Sequence, residues 1–284
     1  MQSEGMAFMK KIKRMGRQVQ KFILDRCCSI EREPVIVLGN QKSGTTAIAA
    51  LIGKAARRSV ILDFFFRVPR SGRKIIEGIS TLNEFISHNK SFFSKKIIKD
   101  PDLTFLLPEV LNVYPQSKIV FILRDPIANV RSILNRLGLS GTIETLSEEE
   151  RQQMEQRLPE WYDAVDGKRF GHGDLNPVLS LLKRAIKSHE ICAANQERFA
   201  VVRYEDFLSD KKNYIEGLCQ KLDIEVQQDV RKYVDVQYQP KGTRSGTLAD
   251  FFGAKNWERM QQLLSQPEIQ QCLEKNGYAV YADN

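Results

Sequence analysis

Between Gly39 and Thr46 the sequence reads GNQKSGTT, two glycines, a lysine and three hydroxyl-bearing residues directly after the apolar run VIVL. A turn of that composition, at the end of a buried strand and the start of a helix, aims backbone N–H groups and the positive end of the helix dipole at one point. That is chemistry for holding an anion. Lys42 adds a full positive charge, and Ser43, Thr45 and Thr46 offer hydroxyl donors. The glycine spacing equals that of the GxxxxGK[ST] phosphate turn, yet Thr45 follows the second glycine, Gly44, and Lys42 precedes it. The lysine must therefore reach an anion from the turn and not from the helix.

A second group of residues has the same character. KIVFILRDPIANVRSIL places Arg124 at a strand end and Ser132 in the helix after it, about two turns along. Ligands of open α/β sheets bind at the carboxyl edge of the strands, where Arg124 emerges. An arginine–serine spacing is weak by itself, because strand-end arginines often pair with carboxylates. Joined to the turn at 39–46 it describes a pocket with two separate anion grips. Asp125, where a magnesium-binding acid would be sought after an apolar strand, comes directly after a cation.

These residues need a frame that brings strand ends together. Apolar runs at 34–40, 59–66, 95–100, 118–125 and 199–207 alternate with helical patterns that begin near Thr45, Pro126 and Pro177. Alternation of that kind predicts βαβ units: an α/β, three-layer fold with a mostly parallel central sheet and helices on both faces. Four of the five runs are continuous and not alternating, as expected of strands covered on both sides. Residues 140–176 break the rhythm and carry Trp161 and Tyr162, which predicts an insertion near a second substrate, with the character of a lid. KGTRSGTLADFFG (241–253) reads as a mobile, glycine-punctuated loop, and the chain from Trp257 onward as helical. The predicted organisation is a basic amphipathic helix within 1–33 and a single domain over 34–284.

The 284 residues carry a net charge of +8, which implies an anionic partner without naming it. Residues 1–33 hold eight Lys/Arg and four acids, so about half of the excess lies there. Within 9–26 an apolar stripe (Met9, Ile12, Met15, Val19, Phe22, Ile23) faces a basic one. That pattern suits either packing on the domain or peripheral contact with an anionic membrane. No uninterrupted apolar run long enough for a signal peptide or membrane span occurs. Cytoplasmic placement, at most against the inner membrane face, is the expectation. Five scattered cysteines and three histidines give no zinc spacing and read as reduced thiols in a cytosolic protein. No nucleic-acid-binding module is evident.

On these motifs the sequence resembles the family of sulfotransferases that use 3′-phosphoadenosine-5′-phosphosulfate (PAPS). QKSGTT looks like the family's 5′-phosphosulfate loop, RDPIANVRS like its 3′-phosphate element, and RYEDF (203–207) like a third element. The resemblance implies that Lys42, Ser43, Gly44, Thr45 and Thr46 hold the 5′-phosphosulfate, that Arg124 and Ser132 hold the 3′-phosphate, and that Tyr204 lies beside the adenine. It also implies PAPS as co-substrate, with no metal required. Lys99, in IIKDP, stands where the cytosolic branch has a lysine near the bridging oxygen. Lys241 and Arg244 are candidates for a late basic clamp on the 3′-phosphate.

The cytosolic branch carries its histidine base two residues after that lysine, and Pro101 occupies the position here. Asp63, in SVILDFFFR, resembles in its spacing the glutamate of the tyrosine-modifying branch, and three phenylalanines beside it would dry the site. Asp63 is therefore the candidate base, with a turn-capping aspartate or a partner for Arg67 as the alternative, and Asp100 and Asp102 in reserve. Arg67, Arg70, Arg73 and Lys74 form a cluster able to grip an acidic sugar chain or simply to face solvent. The missing histidine leans toward the carbohydrate-type branch and a hydroxyl acceptor on a glycan. A small-molecule or polyketide acceptor, an ATP-dependent phosphotransferase, and a nucleotide-binding protein without turnover remain as alternatives.

Overall fold

The computed structural model describes residues 20–236 and 246–278. Most of the leader assigned to residues 9–26 and both proposed clamp residues, Lys241 and Arg244, lie outside them. Among the described residues, five strands form one parallel sheet in the order β2-β3-β1-β4-β5. They are Val35–Gly39 (β1), Val60–Leu62 (β2), Ile97–Lys99 (β3), Ile119–Leu123 (β4) and Phe199–Arg203 (β5). Because β1 lies between β3 and β4, the chain leaves its central strand first to one side and later to the other. The crevice at the carboxyl ends of β1 and β4 is the switch point where such sheets take ligands.

Successive residues of each strand enter opposite cores, which explains the continuous apolar runs. Ile36, Leu38, Ile119, Phe121 and Leu123 pack to one side, with Ile127, Val130, Ile133 and Leu134 from the helix Pro126–Leu137 and Leu181, Leu182 and Ile186 from Pro177–Ala194. Val35, Val37, Val120 and Ile122 pack to the other, against Ile48, Leu51 and Ile52 of the helix Thr45–Ala55 and Ile215, Leu218 and Cys219 of Lys211–Lys221. Burying aliphatic side chains on both faces contributes about 1.5–3 kcal/mol each.

β2 and β5 end well before their apolar runs do. After Leu62 the chain turns through Asp63, whose φ of 51° is left-handed, and Phe65–Arg67 form a 3-10 turn. Phe64 and Phe65 fold back into the core against Phe85, Phe92 and Phe93, so of the three phenylalanines only Phe66 reaches the site. β5 ends at Arg203, and Tyr204–Ser209 is a helix. The loop expected to continue to 253 stops earlier. Thr247 and Asp250 cap each other's backbone N–H groups and start a helix at Leu248. The interruption at 140–176 holds two helices, Glu148–Arg157 and Pro159–Asp166. Among the described residues, no helix is long and apolar enough to cross a membrane, and all five cysteines are free.

Candidate active site

At the carboxyl edge of the sheet lies a cleft of about 1010 Å³ lined by Lys42, Gly44, Thr45, Thr46, Asp63, Lys99, Arg124, Ser132 and Tyr204. The turn around Lys42 and the Arg124/Ser132 pair, with Lys42 and Arg124 82 residues apart in the chain, therefore face one space. They are also tied directly, because the Arg124 Nη1 donates to the Lys42 carbonyl at 2.7 Å.

The turn owes its shape to backbone dihedrals that few residues adopt. Gly39 has φ 135°, Lys42 φ 63° and Gly44 φ 94°. Gly44 admits no side chain for a second reason: the Tyr204 ring lies against it, and a Cβ there would fall 2.4 Å from the ring's Cδ2. Arg124 stacks on that ring, its Cζ 4.9 Å from the centroid, an arrangement worth about 0.5–1 kcal/mol. Tyr204 thus packs between the two grips. Ser43 departs from its expected role. Its N–H and hydroxyl both donate to the Asn40 carbonyl, at 3.2 and 2.6 Å, so it closes the turn and its hydroxyl does not face the cleft.

The ends of β2 and β3 and the start of the helix Thr45–Ala55 meet at Lys99. Its ammonium is almost fully buried and donates to Asp63 Oδ1 at 2.5 Å and to Thr46 Oγ1 at 3.0 Å. The Asp63 N–H continues the ladder by donating to the Lys99 carbonyl at 2.9 Å. An aspartate held left-handed by the surrounding structure is the kind of local strain that collects at functional sites. Asp100 and Asp102 are wholly or nearly buried and turn away from the cleft. Asp100 accepts the Phe65 and Asp102 N–H groups, and burial, then the carboxylates of Asp102 and Asp63, push its pKa up. Neither lines the cleft, which argues against both as the base.

Asp125 caps the helix Pro126–Leu137 by accepting the Ala128 N–H at 2.7 Å, which is a structural use for the acid after β4. That helix gives the cleft more than Ser132. Ala128, Arg131, Asn135 and Arg136 share its face, a spacing of three and four residues legible in the sequence once Ser132 is fixed as a lining residue. Lys211 and Asp235, paired at 2.7 Å, close the far wall. Among the described residues, the lining holds six cations, Lys42, Lys99, Arg124, Arg131, Arg136 and Lys211, against two carboxylates, Asp63 and Asp235. Burial, then the charges of Arg124, Arg136 and Lys99, lower the Lys42 pKa to about 8. A cationic cleft that depresses its own lysine is built to take up negative charge.

The insertion supplies Trp161, which meets Phe66 at 6.1 Å between ring centroids; both line the cleft on the Asp63 side. Arg73, one of the basic cluster expected at an acidic acceptor, is committed elsewhere. It forms a fork with Asp163, at 2.8 and 3.1 Å, and reaches Glu155 at 2.8 Å, pinning the insertion to the domain. None of Arg67, Arg70, Arg73 and Lys74 lines the cleft.

The model of the sulfotransferase family matches residues 49–228. The chain belongs to the sulfotransferase family. The matched span begins after the turn at 39–46 and contains Asp63, Lys99, Arg124, Ser132 and Tyr204. Comparison with curated proteins gives no match. Among solved structures, a sulfotransferase from Mycobacterium avium is similar with a TM-score of 0.55 at 11% identity, over 94% of this chain and 82% of that one. A sulfotransferase from Alicyclobacillus acidocaldarius aligns with a TM-score of 0.49 at 13% identity, over 90% and 98%. The Mycobacterium avium likeness is one of fold, a sulfotransferase α/β sheet with surrounding helices.

Proposed function

We propose that this sulfotransferase takes PAPS as donor and moves its sulfuryl group to a hydroxyl on a carbohydrate. The observation that carries the reading is the single cleft into which the Lys42 turn, the Arg124/Ser132 pair and the Asp63–Lys99 pair all open. The donor would supply an activated sulfuryl group on a 5′-phosphate, together with a 3′-phosphate that AMP and ATP lack. The residues fit both ends. Lys42, Gly44, Thr45 and Thr46 would hold the 5′ end, Arg124 and Ser132 the 3′-phosphate, with Arg131 and Arg136 adding charge. Tyr204, packed between the grips, would bear on the adenosine.

In the transfer, a bond forms between the acceptor oxygen and sulfur while the bond from sulfur to the 5′-phosphate oxygen breaks. Asp63 takes the acceptor's proton. Lys99, hydrogen-bonded to Asp63 and to Thr46, sits between the base and the donor loop, and with Lys42 it balances the charge that gathers on the departing phosphate. The Phe66–Trp161 wall beside Asp63 suits the apolar C–H face of a sugar ring. Calorimetry with 3′,5′-adenosine bisphosphate, AMP and ATP tests the donor. The bisphosphate should bind at least tenfold tighter than AMP, and equal affinities would overturn the assignment. Labelled-sulfate transfer to polysaccharide against small-molecule hydroxyl acceptors tests the acceptor class.

A further inference from the structure

The helix Pro177–Ala194 contributes nothing to the cleft lining, yet two of its side chains are fully buried and bonded to the two grips. Arg184 is fully enclosed, its guanidinium stacked 3.9 Å from the Phe105 centroid and 4.3 Å from that of Phe170. Its Nε donates to Asn40 Oδ1 at 3.1 Å and Gln41 Oε1 at 2.9 Å, and its Nη2 to Asp102 Oδ1 at 2.8 Å. Gln41 Nε2 donates to the same Asp102 oxygen at 2.8 Å. Both residues ahead of Lys42 are thereby held from beneath by one cation. Five residues further on, His189 Nε2 lies 3.0 Å from the Arg124 carbonyl. That oxygen can only accept, so Nε2 carries the proton and Nδ1 faces the Asn276 amide at 3.4 Å.

We infer that Arg184 and His189 are positioning residues that set the separation of the two anion grips, Arg184 by fixing the Lys42 turn and His189 by fixing the backbone of Arg124. Three features argue for it. A fully buried arginine is expensive unless it is paired; here Nε and Nη2 are bonded to the turn and to the segment after β3, while Nη1 has no hydrogen-bond partner and lies in the stack with Phe105 and Phe170. The amides of Asn40 and Gln41 spend their polar atoms inward, which leaves the rest of the turn to face the cleft. Both anchors stand on one rigid helix of 18 residues, so the distance between them is set by helix geometry and not by loop packing. Asn129 adds a cross-tie from the neighbouring helix, with its Nδ2 donating to the Gln41 carbonyl at 2.9 Å and its Oδ1 accepting from Asn40 Nδ2 at 2.9 Å.

The inference rests on the donor reading above, and its test separates the two. Affinities for 3′,5′-adenosine bisphosphate and for AMP are measured by calorimetry on the full chain and on Arg184→Lys, His189→Leu and His189→Gln, with thermal midpoints alongside. The parent must first prefer the bisphosphate; if it does not, the donor reading fails and not the positioning argument. Given that preference, Arg184→Lys keeps a charge for Asp102 but cannot bond both amides, and should weaken AMP and bisphosphate alike by about tenfold, the equivalent of one hydrogen bond. His189→Leu should weaken the bisphosphate by about tenfold and leave AMP unchanged, collapsing the preference. His189→Gln, which can still donate to the Arg124 carbonyl, should restore it. A folded His189→Leu protein that keeps the parental ratio, or an Arg184→Lys protein with parental AMP affinity, overturns the inference.

Discussion

Lys42 offers the sharpest test of the cleft's electrostatics. Half-buried at the turn and crowded by Arg124, Arg136 and Lys99, it has its pKa lowered to about 8 without ligand, against the usual lysine value near 10.4. A phosphate group placed beside it favours the charged form, so binding above neutrality must draw a proton from solvent. With a free-state pKa of about 8, the uptake on binding 3′,5′-adenosine bisphosphate should be about 0.1 proton at pH 7, about 0.5 at pH 8 and about 0.9 at pH 9. Affinity should fall about tenfold between pH 7 and pH 9, because only about one lysine in eleven is then ready charged. The ligand's phosphates are already ionised in this window, having a second pKa near 6. Calorimetry in buffers of different ionisation enthalpy counts the protons directly. Arg136→Gln removes one repelling charge and should move the midpoint of uptake to higher pH, while Lys42→Met should abolish uptake. Uptake below about 0.1 proton at pH 8, with a flat Kd from pH 7 to 9, would refute the reasoning. The sign for stability is opposite to that of an ordinary ion pair. The folded pKa lies below the unfolded one, so the unfolded chain binds more protons between about pH 8 and 10.5 and the unliganded protein gains stability as pH rises through that window. Lys42→Met should accordingly raise the thermal midpoint at neutral pH while removing binding.

Three further outcomes concern the rest of the site. Asp63→Asn should lower turnover by about 10²- to 10⁴-fold, the usual reach of a general base, with bisphosphate affinity within about threefold of the parent; single-turnover sulfate transfer and calorimetry read the two separately, and a variant at the parental rate removes Asp63 from the role. Gly44→Ala forces a Cβ to within 2.4 Å of the Tyr204 ring at a φ of 94° and should abolish nucleotide binding, with a second substitution, Tyr204→Ala, relieving the clash but not the backbone strain. Trp161→Ala should raise the KM for a carbohydrate acceptor while leaving donor affinity unchanged, and an unchanged acceptor KM would remove the Phe66–Trp161 wall from acceptor binding.

Much of the frame is legible in residue order. A strand buried on both faces must be apolar at every position, and β1 and β4 are, so their runs stand out and their order with the helices predicts a parallel sheet. The strand ends are less legible, because apolar character alone does not separate a strand from an apolar turn beyond it. SVILDFFF reads as one run, but the left-handed backbone at Asp63 ends the strand and sends Phe64 and Phe65 into a core made with Phe85, Phe92 and Phe93. In the site, Lys42, Gly44, Arg124 and Ser132 are visible because a turn and a strand end impose residue types locally. Ser43 is the exception, because a hydroxyl in a turn serves the turn's own carbonyl as readily as a ligand, and sequence does not say which.

Sequence alone determined the features that depend on neighbours along the chain: strand and helix order, the glycine-containing turn, the helix start near Pro126, and the basic balance. Tertiary structure alone decided which distant groups meet. The Lys99–Asp63 pair, the inward commitment of Arg73, and the buried bonds of Arg184 and His189 each join segments that no local pattern relates. The physical reason is range. A backbone dihedral or a helical period is set within a few residues, whereas a buried charge takes its value from whichever partners the packed fold delivers to it.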